Sequence, residues 1–520
     1  MTKFSVSVAE PDDQKSKTAT VEDAIEQLGT GFFHWVLVVA TGMCSACAVA
    51  EAMCPSYLFS PAAWATCDLD MDANLDKSLL SAIVFAGMLA GTWLWGVAAD
   101  TWGRVPLLRL TLLADAAVGV LSSFSPDKRI FIAARFFTGF LVAGPTSTAM
   151  AYLGEYHSEK TRAKALVVFG LFPGGASLVV AAVAYLVLPL ELSSWSLPWL
   201  GAYRSWRLFI LMCAMPSLLT GLAFLVLPES PRFLLATGRA DEALQALRWA
   251  YARNKGSGKE FPVTALVTPV ESTAVAGGGG ALLGLLKQTV RLFGKQHIRN
   301  TLILCTVLFV VISSANGLLV WMPEIFNRMA SYSKLDPDTP ATACEAIYAV
   351  QAFAANSSAA AANATQVCGG VLEDAMFINT GMVGASNIVV ALLSIVVVGF
   401  MGKKLLLIVC LVLAAIFCLL TTVVPSEVTT IVFACGLISL TSICISIAIS
   451  VAVENYPTTL RATACSMGML AGRGGSFTGS LVFGMLLDTQ CSAGFWGLGI
   501  ALLVSGALSL LLPRRGLYAT

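Results

Sequence analysis

Twelve long apolar segments, separated by polar ones, dominate the pattern of the chain. A helix needs roughly 20 mainly apolar residues to cross the hydrocarbon core of a membrane. Barrel strands would instead be about ten residues of alternating polarity, so the segment lengths favour helices. The pattern therefore predicts an all-α membrane protein. Its twelve predicted spans are 33–58, 79–99, 106–124, 130–153, 165–189, 207–227, 301–322, 376–400, 404–424, 429–453, 462–487 and 494–512.

A long polar segment, 228–300, divides the spans into two groups of six. The chain begins with a charged stretch that has no apolar run, which is typical of a polar tail rather than a signal peptide. The predicted organisation is a tail 1–30, a six-helix bundle 31–227, a central loop 228–300, a second six-helix bundle 301–512 containing a loop 323–375, and a tail 513–520.

The composition excludes several classes of protein. Only 12% of the 520 residues are charged and 57% are hydrophobic, whereas soluble domains have roughly 25% charged residues. The net charge of +1 does not favour nucleic-acid binding, which needs a basic patch. The polar segments show no nucleophile–base set, metal cluster or nucleotide fingerprint. The sequence thus predicts neither an enzyme nor a protein with a cofactor or metal.

The distribution of basic residues predicts the orientation. If both termini face the cytosol, 22 of the 32 Lys and Arg residues lie in inner segments and six in outer loops, as the positive-inside rule requires. The N-x-Ser/Thr sequons at Asn356 and Asn363 then fall in the outer loop 323–375, where glycosylation takes place. Cys344 and Cys368 share that loop and are the candidate disulfide in an oxidising compartment.

A short internal repeat supports duplication of a six-helix unit. Glu155 and Arg162 follow span four, and Glu454 and Arg461 follow span ten with the same spacing. Both pairs stand at the inner end of the fourth span of their group. Parallel repeats about an axis normal to the membrane are the arrangement of one large transporter class, in which the substrate site lies between the halves at mid-depth.

The loop after span two has the residues of a gate. It reads Gly-Val-Ala-Ala-Asp-Thr-Trp-Gly-Arg over 96–104. Asp100 sits at a helix end, Gly103 allows a tight turn, and Arg104 can pair with acids of neighbouring helices. Such pairs can break and re-form as two halves rock. The alternative is that Asp100 and Arg104 only cap helices and anchor the topology.

These nine residues resemble the G-x-x-x-D-x-x-G-R signature of the major facilitator superfamily. Residues 228–232 resemble the P-E-S-P-R element of its sugar-porter-like members, and 135–144 is similar to its R-x-x-x-G-x-G-x-G run, with Leu141 and Ala143 where glycines are usual. The resemblance implies two pseudo-symmetric six-helix bundles and a cytosolic gate. The gate residues that it implies are Asp100, Gly103, Arg104, Arg135, Glu155, Arg162, Glu229, Arg232, Glu454 and Arg461.

A closer resemblance is to the synaptic vesicle glycoprotein 2 family and its related-protein branch. It is carried by the stretches 21–25, 94–100, 201–207, 216–217, 228–232 and 454–457. The loop 323–375 is short for the vesicle glycoproteins, and 399–404 has lost the acid of the second-half gate. The resemblance implies a transporter of a small organic solute in the plasma membrane or a secretory or synaptic vesicle membrane. The alternative is a transporter-shaped protein that acts by binding partners in vesicle trafficking.

The deep charges are the candidates for solute and ion binding. A charge at mid-membrane costs roughly 2.5–3.5 kcal/mol on insertion scales, so it indicates a functional site. We interpret Arg473 in span eleven as an anion anchor and Glu51 in span one as a proton or cation site. The alternative is that they are structural partners of each other or of the backbone. We interpret Asp115 and Arg109 in span three as packing or interface charges.

Span seven bears on the substrate. Its Ser-Ser-Ala-Asn ending at Asn316 is related to a Ser-Gly-x-Asn run of sugar porters, which place two glutamines just before it. Val310 and Val311 stand there instead and cannot hydrogen-bond hydroxyls, a loss of about 1 kcal/mol or more for each contact. We therefore expect a small organic solute rather than a sugar, and Arg473 favours an anion. Asn316 and Trp321 complete the candidate binding residues.

Spans with G-x-x-x-G runs allow helix backbones to approach closely. Span two has 87–91, span five has 170–174 and span eleven has 468–472. In the resembled fold, spans two and eleven pack across the two halves, as do spans five and eight. These glycines therefore fall on the helices that must slide, and Pro145 and Pro173 either bend spans four and five beside the cavity or are packing kinks.

Overall fold

A computed structural model describes residues 18–60, 63–71, 75–190, 196–197, 201–256, 259–267, 289–360 and 372–512. The first part of the chain forms α1 (Val21–Leu28), α2 (Phe32–Met53), α3 (Ala65–Asp68), α4 (Leu75–Trp102), α5 (Arg104–Ser123), α6 (Lys128–Glu155), α7 (Glu159–Phe169), α8 (Phe172–Val187), α9 (Ser205–Ala223), α10 (Pro231–Ala236) and α11 (Ala240–Lys255). The second part forms α12 (Ile298–Leu335), α13 (Ala343–Ala360), α14 (Asp374–Met401), α15 (Lys403–Leu420), α16 (Glu427–Asn455), α17 (Thr458–Leu487) and α18 (Cys491–Leu510).

These helices coincide with the predicted spans. Within the described residues, 11 are long and apolar enough to cross a membrane, and the protein is a multi-pass membrane protein. The long helix α17 is not among the 11, because Arg473 and many glycines and serines lower its mean hydropathy. Span five is divided into α7 and α8, since Pro173 has no N–H and its ring crowds the preceding turn. Pro145 lies inside the uninterrupted α6.

The helices pack as two copies of one unit. In the first half, α4 packs on α6, and α5 packs on α6 and α9. In the second half, the equivalent helix α14 packs on α16, and α15 packs on α16 and α18. The most extensive contacts between the halves are those of α4 with α17 and of α8 with α14. These are the contacts between spans two and eleven and between spans five and eight that the resemblance implies.

The glycine runs of spans two and eleven lie at close contacts within a half. Gly87 and Gly91 face the backbone of α6 in the same half, and Gly468 and Gly472 face side chains of α12. These glycines therefore lie on the faces of α4 and α17 that point away from the other half. Gly174 lies between the halves, where a Cβ would come within 3.2 Å of the Gly384 carbonyl of α14.

The parts of the chain outside the spans form two small units. Helix α1 packs on α11, and the strands Thr18–Ala19 (β1) and Ala265–Leu266 (β4) pair in parallel. Two further short strands, Ser196–Leu197 (β2) and Gly201–Ala202 (β3), form an antiparallel pair before α9. The central loop is therefore partly folded beneath the first half. We call the end of the bundle that carries α1, α10 and α11 the inner end, following the predicted orientation, and the opposite end the outer end.

The outer loop differs from its prediction in two ways. Helix α12 does not end at 322 but continues through Pro323 to Leu335, and α13 follows within the loop. Cys344 forms a disulfide with Cys491 at the start of α18, so the predicted Cys344–Cys368 disulfide is wrong. The cause is that α13 holds Cys344 against the first residue of α18. Cys67 is also disulfide-bonded, and Cys368 lies outside the described residues.

Candidate functional site

Glu51 lies in an ion pair that is enclosed by the first half. It is on α2, and its Oε2 accepts a hydrogen bond from Arg135 Nη1 of α6 at 2.7 Å, with both side chains 1% exposed. Arg135 therefore lies deep in the bundle and is not at the inner end. Its assignment to the inner gate is wrong, because α6 begins at the outer end and Arg135 lies only two turns along it.

A second acid lies in the same enclosure. Asp115 of α5 is fully buried, and its Oδ2 accepts a hydrogen bond from Ser217 Oγ of α9 at 2.6 Å. Gly119, one turn further along α5, faces Glu51, whose Oε1 would lie 3.8 Å from a Cβ at that position. Four helices thus contribute to one buried cluster, with Glu51, Asp115 and Arg135 as its charged members.

Arg473 lies apart from this cluster, between the two halves. It stands in the middle of α17 and reaches helices of the other half. Its Nη1 lies 3.0 Å from Met88 Sδ of α4, and its Nη2 donates to Thr146 Oγ1 of α6 at 3.3 Å. Among the described residues no carboxylate forms an ion pair with it. Arg473 is therefore a half-buried cation at mid-depth whose contacts are uncharged.

Amide and hydroxyl groups of the second half form hydrogen bonds with one another, and one such pair lies a turn from Arg473. Asn316 of α12 donates to Ser476 Oγ of α17 at 2.9 Å, one turn from Arg473. Ser386 and Ser439 hydroxyls lie 3.0 Å apart between α14 and α16. Val311, at a position of the sugar-porter glutamines, is buried. The second half therefore presents neutral hydrogen-bonding groups together with one cation.

Trp321 belongs to the closure of the outer end. Its indole stacks on Phe59 with ring centroids 4.7 Å apart, and its Nε1 donates to the Ser480 carbonyl at 3.0 Å. The Ser480 hydroxyl donates to Ser81 of α4 at 2.9 Å. Because Phe59 and Ser81 belong to the first half and the others to the second, these buried contacts join the halves at their outer ends.

A charge cluster adjoins this closure, and sequence reasoning did not identify it. Arg328 donates to Glu324 at 2.7 Å and to Asp488 at 2.5 Å. Lys77 of α4 is 6% exposed and lies within the electrostatic reach of all three. The sequence placed Lys77 and Arg328 in outer loops, because α4 and α12 extend further than their apolar runs. In the sequence, the only signals of this cluster are Lys77 just before span two and the pair of Glu324 and Arg328 just after span seven.

The inner end of the first half is organised by Arg104. Its guanidinium pairs with Glu155 at 3.1 Å and with Asp100 at 3.4 Å, so the predicted gate acids meet at one base. The backbone N–H groups of Arg104 and Val105 donate to the Glu229 carboxylate at 3.2 Å. Glu229 therefore accepts from the first turn of α5, where an anion also stabilises the helix dipole.

Two properties of this inner end follow from its geometry. Gly103 has a φ of 103°, which L side chains rarely adopt, and it packs directly against the Glu229 carboxylate. Burial raises the pKa of Glu229, and the N–H groups of Ser230, Val105 and Arg104 oppose that rise. Helix α1 adds a further link, since Glu22 pairs with Arg232 and lies 3.9 Å from Arg162.

The second half repeats this arrangement in reduced form. Gly402 has a φ of 76°, and Lys403 after it pairs with Glu454, as Arg104 after Gly103 pairs with Glu155. The position of Asp100 corresponds to Gly399, so the second half lacks that acid. Arg461 forms no ion pair among the described residues. The partner of Glu454 is thus the base after the glycine.

The remaining predicted sites are in or beside the outer loop. Asn356 lies in α13, and Asn363 lies outside the described residues. Glycosylation of both stays a prediction. In the part of the chain that the structure describes, no group of three or more His, Cys, Asp or Glu residues could hold a metal ion.

Several known proteins are similar to this chain in sequence. A family model described as "Sugar (and other) transporter" matches residues 15–336. Synaptic vesicle glycoprotein 2B of Homo sapiens is 28% identical over 333 residues, which are 60% of this chain and 48% of that protein. Synaptic vesicle glycoprotein 2C of Mus musculus is 27% identical over 338 residues, 61% of this chain and 46% of that protein. The chain spans about half the length of the curated relatives that it matches.

Solved structures share the fold. The xylose transporter XylE from E. coli, in a partially occluded inward open conformation, aligns with a TM-score of 0.65 and 15% identity over 94% of this chain and 99% of that chain. A D-xylose–proton symporter aligns with a TM-score of 0.65 and 16% identity over 93% of this chain and 99% of that chain. The two bundles of six helices therefore form the major facilitator fold.

Proposed function

Because the chain belongs to the sugar (and other) transporter family, a family of major facilitator transporters, we propose that it is a secondary active transporter whose solute is a small organic anion. Arg473 is the observation that carries the proposal. It lies at mid-depth between the halves, where the class places its substrate, and it contacts only uncharged groups. A cation in such a site costs several kcal/mol unless an anion joins it.

The groups around Arg473 support recognition of a polar anion. An arginine binds a carboxylate or phosphate through parallel hydrogen bonds. Asn316 and Ser476 of the same half add a donor and a hydroxyl. Val310 and Val311 offer no hydrogen bond where a sugar would need one. A solute with one anionic end and a small polar body fits these residues better than a sugar.

Glu51 is the proposed carrier of the coupling proton. It forms an ion pair with Arg135 away from the solute residues and within the first half. Protonation of Glu51 would release Arg135, and a freed charge can drive a two-state helix rearrangement. A related structure is named a D-xylose–proton symporter, which favours a proton over other coupling ions.

Alternating access is proposed to use the two end closures. At the outer end, Trp321 with Phe59 joins the halves, and Lys77 of the first half lies beside the Arg328 cluster of the second. At the inner end, Arg104 and Lys403 each hold a glutamate of their own half. Opening the outer end requires Lys77 to leave its acidic neighbours. The inner gate then closes through pairs that re-form between the halves.

The second candidate is a membrane protein that binds partners in vesicle trafficking. The names of the relatives, synaptic vesicle glycoproteins 2B and 2C, favour it. The reduced gate of the second half, with Gly399 in place of an acid, is the structural observation on its side. A vesicle or plasma membrane is the proposed location under both candidates, with both termini in the cytosol.

Uptake into proteoliposomes separates the candidates. The purified chain is reconstituted with a panel of radiolabelled organic anions, organic cations and sugars, and wild type is compared with Arg473→Ala. Uptake of one or more anions that Arg473→Ala abolishes is the expected result. Uptake of cations or sugars that Arg473→Ala leaves intact contradicts the anion assignment, and failure of the whole panel favours the partner-binding candidate.

A further inference from the structure

The buried cluster of the first half has an uneven count of charges. Glu51, Asp115 and Arg135 are each 0% exposed. They come from α2, α5 and α6, so no single helix shows the set in its sequence. Two carboxylates face one guanidinium, and with both acids ionised the enclosure holds one negative charge in excess. An uncompensated charge in the interior of a protein costs several kcal/mol.

No other cation among the described residues balances this charge. The other titratable groups that face the cluster are the thiols of Cys47, Cys54 and Cys213, and a thiol group cannot supply a positive charge. Besides Cys213, helix α9 adds the hydroxyls of Ser217 and Thr220. Helix α8, on the other side of α2, contributes apolar side chains such as Val180.

Several polar atoms within the enclosure have no hydrogen-bond partner in the described structure. They include Glu51 Oε1, Asp115 Oδ1 and Arg135 Nη2, all buried. Asp115 and Gly119 lie on one face of α5, and Glu51 Oε1 would lie 3.8 Å from a Cβ at Gly119. Buried polar groups are almost always paired, and a proton on either acid turns one of these carboxylate oxygens into a hydrogen-bond donor.

We infer that Asp115 is the second acid of the coupling site and that Glu51 and Asp115 together hold one proton. With the proton on Asp115, Glu51 and Arg135 form a neutral ion pair, as in this structure. With the proton on Glu51, Arg135 is free to pair with Asp115. One proton binds one carboxylate oxygen in either state, and no other group gains or loses charge. The role of this exchange in transport rests on the proposed function.

The bound species is a proton rather than a metal cation. Hard cations take about six oxygen ligands, whereas the enclosure offers two unpartnered carboxylate oxygens. Arg135 also lies beside them and would repel a metal ion. The interpretation of Asp115 as a packing charge is thereby replaced by a proposal that it carries the proton when Glu51 is ionised.

Thermal unfolding of the full chain in lipid nanodiscs tests the inference without any solute. The melting temperature is measured from about pH 5 to about pH 9 for wild type, Asp115→Asn, Glu51→Gln and Ser217→Ala. Wild type should lose stability as the pH rises, because the excess negative charge returns when the proton leaves. Asp115→Asn removes the excess charge and keeps the shape, so it should melt higher than wild type at the alkaline end, by on the order of 5 °C, and show a flatter profile.

Ser217→Ala is the matched control within the same enclosure. Ser217→Ala keeps all three charges and should keep the wild-type slope. An Asp115→Asn profile that is parallel to wild type and lower at every pH overturns the inference. If Asp115→Asn fails to fold, the profile of Glu51→Gln decides, since it also removes the excess charge and should also be flat.

A sodium comparison at alkaline pH separates the proton from a metal cation. Replacing N-methylglucamine chloride by sodium chloride should leave the wild-type melting temperature unchanged. A rise that Asp115→Asn abolishes would assign the site to sodium and overturn the proton. Because this test uses no solute, it remains valid if the uptake panel fails. If uptake depends on Glu51 but Asp115→Asn keeps the wild-type slope, the role of Asp115 is rejected and the proposed function is not.

Discussion

The two halves share one arrangement of helices but differ in where their buried charge lies. The first half encloses Glu51, Asp115 and Arg135 among its own helices. The second half pairs hydroxyls and amides at the equivalent depth, and its deep charge, Arg473, points out of the half toward α4 and α6. The two halves thus share their helix packing but differ in their buried polar groups, and we propose the coupling ion for the first half and the solute for the second.

The largest expected difference between the halves is in their ion pairs. Arg135→Gln leaves the acids of the enclosure without their base, which should lower the free energy of unfolding by about 3–5 kcal/mol. Lys403→Gln removes the base of the half-exposed pair with Glu454, which should cost about 0–1 kcal/mol. Melting curves in nanodiscs measure both. Equal losses of unfolding free energy in the two variants would contradict a larger contribution from the enclosed pair.

The next effect concerns the contact between the halves. A Cβ at Gly174 meets Ile388 and the Gly384 carbonyl, whereas a Cβ at the neighbouring Gly175 meets nothing within 4 Å. Gly174→Ala should therefore destabilise the protein by about 1–3 kcal/mol through overpacking, and Gly175→Ala should be neutral or slightly stabilising. The two glycines are neighbours on α8 and differ in whether a Cβ meets α14. Equal melting temperatures for the two variants would therefore contradict the close contact of α8 with α14.

The gate glycines allow the same comparison at the inner end. Gly103 and Gly402 both have positive φ, but only Gly103 packs against another residue, Glu229. Gly402→Ala should cost about 1–2 kcal/mol through backbone strain. Gly103→Ala should cost more, because the methyl group also displaces the Glu229 carboxylate from the N–H groups of α5. A ranking in the reverse order, measured by thermal unfolding, argues against Glu229 as the anchor of this turn.

The smallest effect is a pH dependence at Glu229. Burial raises its pKa above the value in the unfolded chain, so the folded state binds the proton more tightly. Unfolding free energy should then fall slightly as the pH rises through the folded pKa, by less than about 1 kcal/mol. Glu229→Gln should remove that fall while Gln keeps one acceptor for the α5 N–H groups. An unchanged slope assigns the pH dependence to other groups.

Local sequence features predicted the scaffold well. Apolar runs gave the spans, and the residues 96–104 resembled a gate whose acids do meet at Arg104. Pairings between distant residues were the part that could not be predicted. Arg135 and Glu51 are 84 residues apart and Cys344 and Cys491 are 147 apart. Their meeting depends on the rotation of each helix about its axis, which a hydrophobic pattern leaves open when most faces are apolar.

The sequence also does not reveal how far a helix continues beyond its apolar run. Helix α12 continues for more than three turns past its predicted end and brings Glu324 and Arg328 to Asp488. Hydropathy alone ends the span at Pro323, although a proline inside a helix is tolerated where neighbouring helices support it. The outer charge cluster was therefore missed, while the deep residue Arg473 was found because a charge inside an apolar run stands out.

The most direct test of the division between the halves compares net accumulation with exchange in proteoliposomes. For an anion that the uptake panel identifies, wild type should accumulate it along a proton gradient and should also exchange it across the membrane without a gradient. Glu51→Gln should lose accumulation and keep exchange, since exchange moves no net proton, and Arg473→Ala should lose both. Accumulation retained by Glu51→Gln, or exchange retained by Arg473→Ala, would contradict the account.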